Sequence, residues 1–407
     1  MPNNLHNYPF IVFRGALILL IAAMPWSRAI ISISTVLLFA SALAEIFINK
    51  ILLPKDKYFF CLSALVIFFL IDIFRAESIA EWFSYFSIKL PLLVFSFSVL
   101  VFKSKITPKF LQLFSITYCI AIASATLAST INYLLNYTEL NALVLQSKPI
   151  PIIGGIHHIT FSVFCAFAVI LSAHLAFIQK IKWLWIFTII NLIGLHILAA
   201  RTGLAGFYFA CSILGLVYIL NTKPKVRYLI AALSAICLLP IIAFYSLSSF
   251  HNRVLNTKED MKVIWYQKDA NYQSMGMRIE ASKTAFALAK KHPITGVGCS
   301  NIKQAMSMQY ELNNTNLFIE NRILPHNQFV IEAAIHGITG LFILLLFFAF
   351  PLFNNFTNLP TLFIALWSLT LFACMFECLF DRQHGVILIS LLWFIYLNTK
   401  PIEIKNF

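Results

Sequence analysis

Three residues in this chain have side chains and surroundings suited to chemistry: His326, Arg201 and Arg278. His326 sits in Pro325-His326-Asn327, where a long polar stretch gives way to an apolar run holding Glu332, Gly337 and Gly340. A neutral imidazole near pH 7 can take a proton from a sugar hydroxyl, the step that moving a glycan onto an acceptor requires. The same position also suits a histidine that caps a helix or rests at an interface. Arg201, in Leu198-Ala199-Ala200-Arg201-Thr202-Gly203, puts a cation between two apolar segments with almost no loop around it. Charge at such depth is costly and usually faces a cavity or a partner. A guanidinium fork matches paired phosphate oxygens, so a diphosphate is a natural ligand. A boundary arginine reaching out to lipid headgroups fits the spacing too.

Arg278 opens an amphipathic segment at the depth a lipid diphosphate would occupy, although a solvated loop cation has the same spacing. His157-His158 follows Gly154-Gly155 at the start of an apolar run. This pair either lines the site with His326 or caps the helix. Asn327, beside His326, is a further candidate for substrate binding. Asp381-Arg382 reads as an ion pair with a structural role. Gly296-x-Gly298 is a turn signal, since a lone glycine pair says little about phosphate.

The elements that must position these groups are apolar helices. The chain is 60% hydrophobic and 11% charged, with a mean hydropathy of +0.83. Soluble domains carry about 25% charged residues, so a water-soluble fold of this size is excluded. About twelve runs reach the roughly 20 apolar residues that cross a bilayer, which predicts an all-α, polytopic membrane protein of about 12 transmembrane helices. The run at 15–24 has the look of a signal sequence but lacks a cleavage site, and reads as a retained first helix. Residues 1–407 form a single membrane domain. One large periplasmic loop, 248–326, lies between segments nine and ten. Within it, 277–291 predicts an amphipathic helix with Ile279, Ala281, Ala285, Phe286, Leu288 and Ala289 on its apolar side, ended by Pro293 and Gly296. The flanking stretches 258–272 and 310–323 read as less regular.

Lysine and arginine set the orientation. With a cytoplasmic N-terminus, the even-numbered connections hold Lys50, Lys55, Lys57, Lys103, Lys105, Lys109, Lys180, Lys182, Lys223, Lys225 and Arg227, and the tail holds Lys400 and Lys405. The odd-numbered connections hold few cations. The positive-inside rule therefore predicts both termini in the cytoplasm and the long loop in the periplasm of a bacterial inner membrane.

Most of the +14 net charge lies in these basic loops, where anionic membrane lipid attracts it. No platform of cations and aromatics for bases is present, and nucleic acid is rejected as a partner. No Walker motif points to ATP. No cluster of acidic residues offers Mg²⁺ or Mn²⁺ a site, so no metal and no cofactor are expected. Seven of the eight cysteines fall in apolar runs and Cys299 stands alone, which argues against a disulfide framework. Cys374 and Cys378 share a helix face, yet further metal ligands are lacking. The few ionisable residues placed mid-helix (Asp72, Lys89, His174, His196 and Glu377) do not form the paired broken-helix pattern of a secondary transporter.

Taken in order, the chain shows Arg201-Thr202-Gly203, then Arg278 leading to His292-Pro293-Ile294-Thr295-Gly296-Val297-Gly298. Pro325-His326-Asn327 comes next, followed by Glu332 and Gly337-Ile338-Thr339-Gly340. This order resembles the O-antigen ligase and polymerase superfamily of bacterial envelope glycan assembly, most strongly over about residues 195–345. The resemblance implies a metal-independent, inverting glycosyltransferase working on the periplasmic face. Its donor would be a glycan on undecaprenyl diphosphate and its acceptor a hydroxyl of lipid A-core or another glycan. His326 would be the base or the residue positioning the acceptor, and Arg201 with Arg278 the diphosphate clamp.

The resemblance leaves ligase, repeat-unit polymerase and protein glycosylase open. The chain length, the single large loop and the absence of a soluble C-terminal extension favour the ligase, with the polymerase next. A lipid-linked glycan transporter is the alternative from another class. It predicts polar residues through both halves of the bundle rather than gathered at one face.

Overall fold

The computed structural model describes residues 5–398, apart from 53–54, 223–225, 266–269 and 354–355. Lys223, Lys225, Lys400 and Lys405, used above to read orientation, lie outside these residues. Every regular element among the described residues is helical.

The first half contains α1 (Tyr8–Ala23), α2 (Arg28–Asn49), α3 (Lys57–Ile71), α4 (Ile79–Val101) and α5 (Pro108–Leu135). The short α6 (Tyr137–Leu145) follows, then α7 (His158–Phe177), α8 (Trp185–Leu198), α9 (Arg201–Thr222) and α10 (Val226–Ser246). Between α10 and the next apolar helix lie α11 (Ser248–Trp265), α12 (Ser274–Lys291) and α13 (Ile302–Leu312). The chain then continues through α14 (Gln328–Ala349) and α15 (Thr361–Cys374). The last helix, α16 (Gln383–Leu397), contains a π-helical stretch at Ile387–Leu392.

Among the described residues, seven helices are long and apolar enough to cross a membrane, and five shorter apolar helices accompany them. The protein is a multi-pass membrane protein. Helix starts are written in the sequence by short polar side chains that accept otherwise unpaired N–H groups. Ser27 accepts from Ile30 N, Asp56 from Tyr58 N and Phe59 N, Ser78 from Glu81 N, and Thr107 from Phe110 N just ahead of Pro108. In α7, 89% of the most apolar window is buried, against 22% in α9, so α7 is a central helix and α9 a peripheral one. The exposed Phe, Ile and Leu side chains of α2, α3 and α4 form the face turned to lipid.

The long loop is more ordered than its composition suggests. Residues 258–265, expected to be irregular, continue α11, and 302–312 form α13. The expected amphipathic helix spans Ser274–Lys291, one turn longer than predicted at its start. Its buried side is Ala281, Ala285 and Leu288, while Phe286 is exposed. These residues form a second apolar core with Ile302, Met306 and Tyr310 of α13, Phe69 and Trp82 from α3 and α4, and Ile331, Ala334 and Ile335 of α14. The loop helices are therefore seated on one end of the bundle, called the loop end below.

That seat depends on a backbone-to-backbone joint. Val297 N donates to Ala334 O at 3.0 Å, Gly298 N to Ile335 O at 2.9 Å, and Ile338 N to Pro293 O at 2.8 Å. The joint sits where α14 kinks at Gly337, whose φ is +65°. A Cβ at Gly296 would meet Ile335 C and O at 2.3 Å, and one at Gly337 would meet Ile294 C and O at 2.4 Å. Both positions also have positive φ, so glycine is required twice over. The Gly296-x-Gly298 pair is thus more than a turn, because it lets the loop lie directly on α14.

Ion pairs fasten the same joint. Arg75 Nε donates to Asp72 Oδ1 at 2.8 Å, and its Nη1 reaches Gly296 O at 3.2 Å. Asp72 Oδ2 accepts from Cys299 N at 2.7 Å and lies 3.1 Å from His336 Nε2, while His336 Nδ1 lies 2.5 Å from Glu332 Oε1. Asp72, Glu332 and His336 are all buried, which satisfies the rule that buried charge is paired.

All eight cysteines are free. Cys374 ends α15 and Cys378 lies beyond it, so the two do not share a helix face as expected.

Candidate functional site

Asn327 is the N-cap of α14. Its Oδ1 accepts from Phe329 N at 3.0 Å and Val330 N at 3.1 Å, while its Nδ2 donates to Met375 O at 2.9 Å. Both ends of this amide, expected to bind substrate, are engaged in fixing the helix start and the chain after α15. With Asn327 as the cap, His326 lies just outside the helix. Nδ1 of His326 lies 3.0 Å from Glu377 Oε2. The other carboxylate oxygen of Glu377 accepts from Arg382 Nη2 at 3.3 Å.

Glu377 is not in a helix as its sequence setting suggested. It lies in the short connection between α15 and α16. Burial alone would raise its pKa, but the His326 hydrogen bond and the charges of His326, Arg382 and His157 more than offset this and hold it at about 2. The anionic carboxylate orients the imidazole through Nδ1. Nε2 has no hydrogen-bond partner among the described residues, which leaves its lone pair available to a hydroxyl.

Arg201 begins α9. Ala199 takes a left-handed conformation, φ +46°, to make the abrupt turn out of α8. Nη1 of Arg201 donates to Asp260 Oδ2 at 2.9 Å and Nη2 to Asn256 Oδ1 at 2.7 Å. Asn256 and Asp260 are four residues apart on α11 and so share one face. Arg253, one turn earlier, donates from Nη2 to Lys148 O at 3.0 Å. Burial and the neighbouring Arg201 charge lower the Arg253 pKa to about 10, with Asp260 acting the other way. A cavity of about 280 Å³ opens here between α9, α10 and α11, with Arg201, Arg253 and Thr257 on its polar side.

Arg278 joins these groups from α12. Burial lowers its pKa; Glu377 and Asp260 counter this, and Arg201 adds to it. It is therefore within charge–charge range of both the His326–Glu377 pair and the Arg201–Asp260 pair. His157 is also in that range of Glu377, His326 and Arg278. Burial, with the Arg382 charge, lowers its pKa to about 4, so it is neutral at pH 7. His157 occupies the N-cap position of α7 without using its side chain as a cap, and its Nδ1 is buried without a partner among the described residues. His158 lies beside it, 4.5 Å away between ring centroids.

Arg201, Arg278, His326, His157 and His158 thus gather at the loop end of the bundle. Sequence reasoning missed Glu377, Arg382, Asp260 and Arg253. Asp381 and Arg382 do not pair with each other as expected. Asp381 pairs with the buried Lys89 of α4, and Arg382 with Glu377. Four guanidinium groups share this region with two carboxylates, a cationic surplus. Arg201 Nε, Arg253 Nε and Asp260 Oδ1 are buried with no partner among the described residues. Buried polar atoms are rarely left so, and two guanidinium donors without acceptors suit an anionic ligand.

Residues 186–345 match the family model described as O-antigen ligase. Over these residues the chain is similar to O-antigen ligases, which supports the O-antigen ligase superfamily. No curated protein matches it. The matched stretch includes Arg201, Arg253, Asp260, Arg278 and His326, together with the glycine joint on α14. Glu377 and Arg382 lie beyond the matched stretch, yet they complete the surroundings of His326. The superfamily consists of glycosyltransferase-like ligases and polymerases, which supports an enzyme acting on a lipid-linked glycan and an acceptor.

Proposed function

We propose that this protein transfers a glycan from undecaprenyl diphosphate to an acceptor hydroxyl, lipid A-core in the ligase reading, on the periplasmic face of the bacterial inner membrane. Both termini are cytoplasmic in this reading, and 248–326 is the periplasmic loop of one membrane domain. The observation that carries it is the His326–Glu377 pair, with Arg278 in charge range of both Glu377 and Arg201, where His326 and the two arginines fall in the stretch that matches the O-antigen ligase family.

The acceptor oxygen attacks the anomeric carbon of the donor sugar. Its proton passes to Nε2 of His326, and Glu377 stabilises the resulting imidazolium through Nδ1. The bond between the anomeric carbon and the phosphate oxygen breaks, and the electron pair leaves with the lipid diphosphate. Arg201 and Arg278 stabilise the charge on that leaving group. Arg253 contributes from the same wall. Asp260 and Asn256 hold Arg201 in place, while Asn327 and Glu377 fix the direction of His326. His157 and His158 border the site as uncharged groups able to bind sugar hydroxyls.

A deletion strain complemented with wild type or His326→Ala tests this, with lipopolysaccharide and lipid-linked glycan probed separately. Long glycan retained on the lipid carrier and absent from lipid A-core marks a ligase. Single repeats capped onto core mark a polymerase. An unchanged pattern refutes the assignment of His326.

A further inference from the structure

A second cavity, of about 550 Å³, is lined by Arg382 and His157, both of which neighbour the His326–Glu377 pair. It opens between α2, α4, α7 and the start of α16. Its wall includes Arg28, Ser32, His157, Thr160, Arg382 and Gln383. Arg382 is shared between the cavity and the reacting centre, since the same guanidinium bonds Glu377. This cavity and the one beside Arg201 have no lining residue in common.

The chemistry of the wall points to a phosphorylated sugar. Arg28 donates from Nη2 to Gly155 O at 3.0 Å and forms no ion pair with a carboxylate among the described residues. The one carboxylate on the wall, Asp381, is already paired with Lys89. Arg382 is paired with Glu377, so Arg28 is the wall cation without a carboxylate partner among the described residues, and it leaves the cavity cationic. Thr160 is fully buried, and its Oγ1 has no partner among the described residues. His157 Nδ1 is likewise buried and unpartnered. Unsatisfied hydroxyl and ring nitrogen atoms at a cationic cavity suit a ligand carrying both hydroxyls and negative charge. Ser87 and Pro91 of α4, two to three turns into that helix, also line the cavity, so it reaches into the membrane depth where the tails of a glycolipid would lie.

We infer that this cavity is a separate acceptor subsite, in which Arg28 and Arg382 bind the anionic group of a phosphorylated glycolipid while Thr160 and His157 bind its sugar hydroxyls. The inference rests on the transferase reading of His326. Donor and acceptor then reach the imidazole from two separate cavities, the diphosphate from beside Arg201 and the acceptor from beside Arg28. The ligand has two candidate sources with the same chemistry, a phosphorylated core glycolipid or a second lipid-linked repeat.

The test is binding to the purified full-length protein in lipid nanodiscs, with lipid A-core and an undecaprenyl-diphosphate-linked repeat as probes. Arg28→Gln and Thr160→Val are expected to weaken lipid A-core binding tenfold or more and to leave donor binding within twofold. Arg201→Gln is expected to do the reverse. If the linked repeat instead binds wild type at two sites and Arg28→Gln removes one, the subsite stands and its ligand is the second repeat. Loss of both probes together, or no change in either, overturns the proposal. Arg28→Lys, which keeps the charge, and the near-isosteric Thr160→Val keep the result readable if Arg28→Gln fails to fold. A transfer assay run alongside separates the two claims. Absence of turnover in wild type would refute the transferase reading, whereas the split between the two probes reads the subsite without any turnover.

Discussion

Glu377 Oε2 lies 3.0 Å from His326 Nδ1, joining two residues from different connections 51 positions apart. The carboxylate is buried and further held by Arg382, so the direction of the imidazole is set from behind. This is the arrangement in which a histidine presents its second nitrogen to a substrate.

Glu377→Gln keeps the size of the side chain and removes its charge. In the account above, kcat falls by about 10²-fold or more, since an imidazolium formed during transfer loses its counter-charge. The KM for the lipid-linked donor changes little, because Glu377 touches His326 rather than the diphosphate. Steady-state kinetics on purified protein read both quantities.

In the proposed mechanism, Arg201→Gln and Arg278→Gln each remove one donor to the leaving group. About 10²- to 10³-fold in kcat is expected for each. The two share one ligand and one charge environment, so the double variant should fall short of the product of the single effects. A double variant showing the full product would mean that the two arginines act independently.

Acid should destabilise the protein in two windows. His157 has its pKa lowered from 6.5 to about 4, so the unfolded chain binds that proton first. Its contribution is fully present above pH 6.5 and is lost as pH falls towards 4. Glu377 is lowered from 4.5 to about 2, so its contribution is complete above 4.5 and is lost as pH falls through 2. The Glu377 part amounts to a few kcal/mol by linkage. Melting temperature against pH in detergent should therefore fall less steeply below pH 4.5 for Glu377→Gln than for wild type.

Gly296→Ala and Gly337→Ala should destabilise the seat of the loop on α14. Each new methyl would meet backbone atoms closer than 2.5 Å at a positive φ. Overpacking alone costs about 1–3 kcal/mol, and the backbone strain adds to it. The expected result is a lower melting temperature together with faster proteolysis of residues 248–326. Gly15→Ala, where a Cβ meets nothing within 4 Å, is the control.

The helices were legible in the sequence because apolar runs and short polar caps are local signals. His326, Arg201 and Arg278 were legible because each is a polar group at the border of an apolar run. Glu377 was not, since Met375-Phe376-Glu377-Cys378 reads as the continuation of an apolar helix, and only the fold ends α15 at Cys374. Asp260 and Arg253 were hidden in a polar stretch with no apolar period, because α11 is held by Arg201, α6 and α8 rather than by a strong apolar stripe of its own. The Asp381-Arg382 reading failed for a geometric reason: neighbouring side chains diverge, here one towards Lys89 and the other towards Glu377. The Gly296-x-Gly298 pair could be seen as a turn, but the surface it lies on comes from α14, more than thirty residues away.

The most direct measurement is transfer of a lipid-linked glycan to acceptor by purified wild type and His326→Ala, with donor binding measured on the same samples. The account predicts that His326→Ala binds the undecaprenyl-diphosphate donor as wild type does and transfers it about 10²- to 10⁴-fold more slowly. Transfer at the wild-type rate with donor still bound would contradict it.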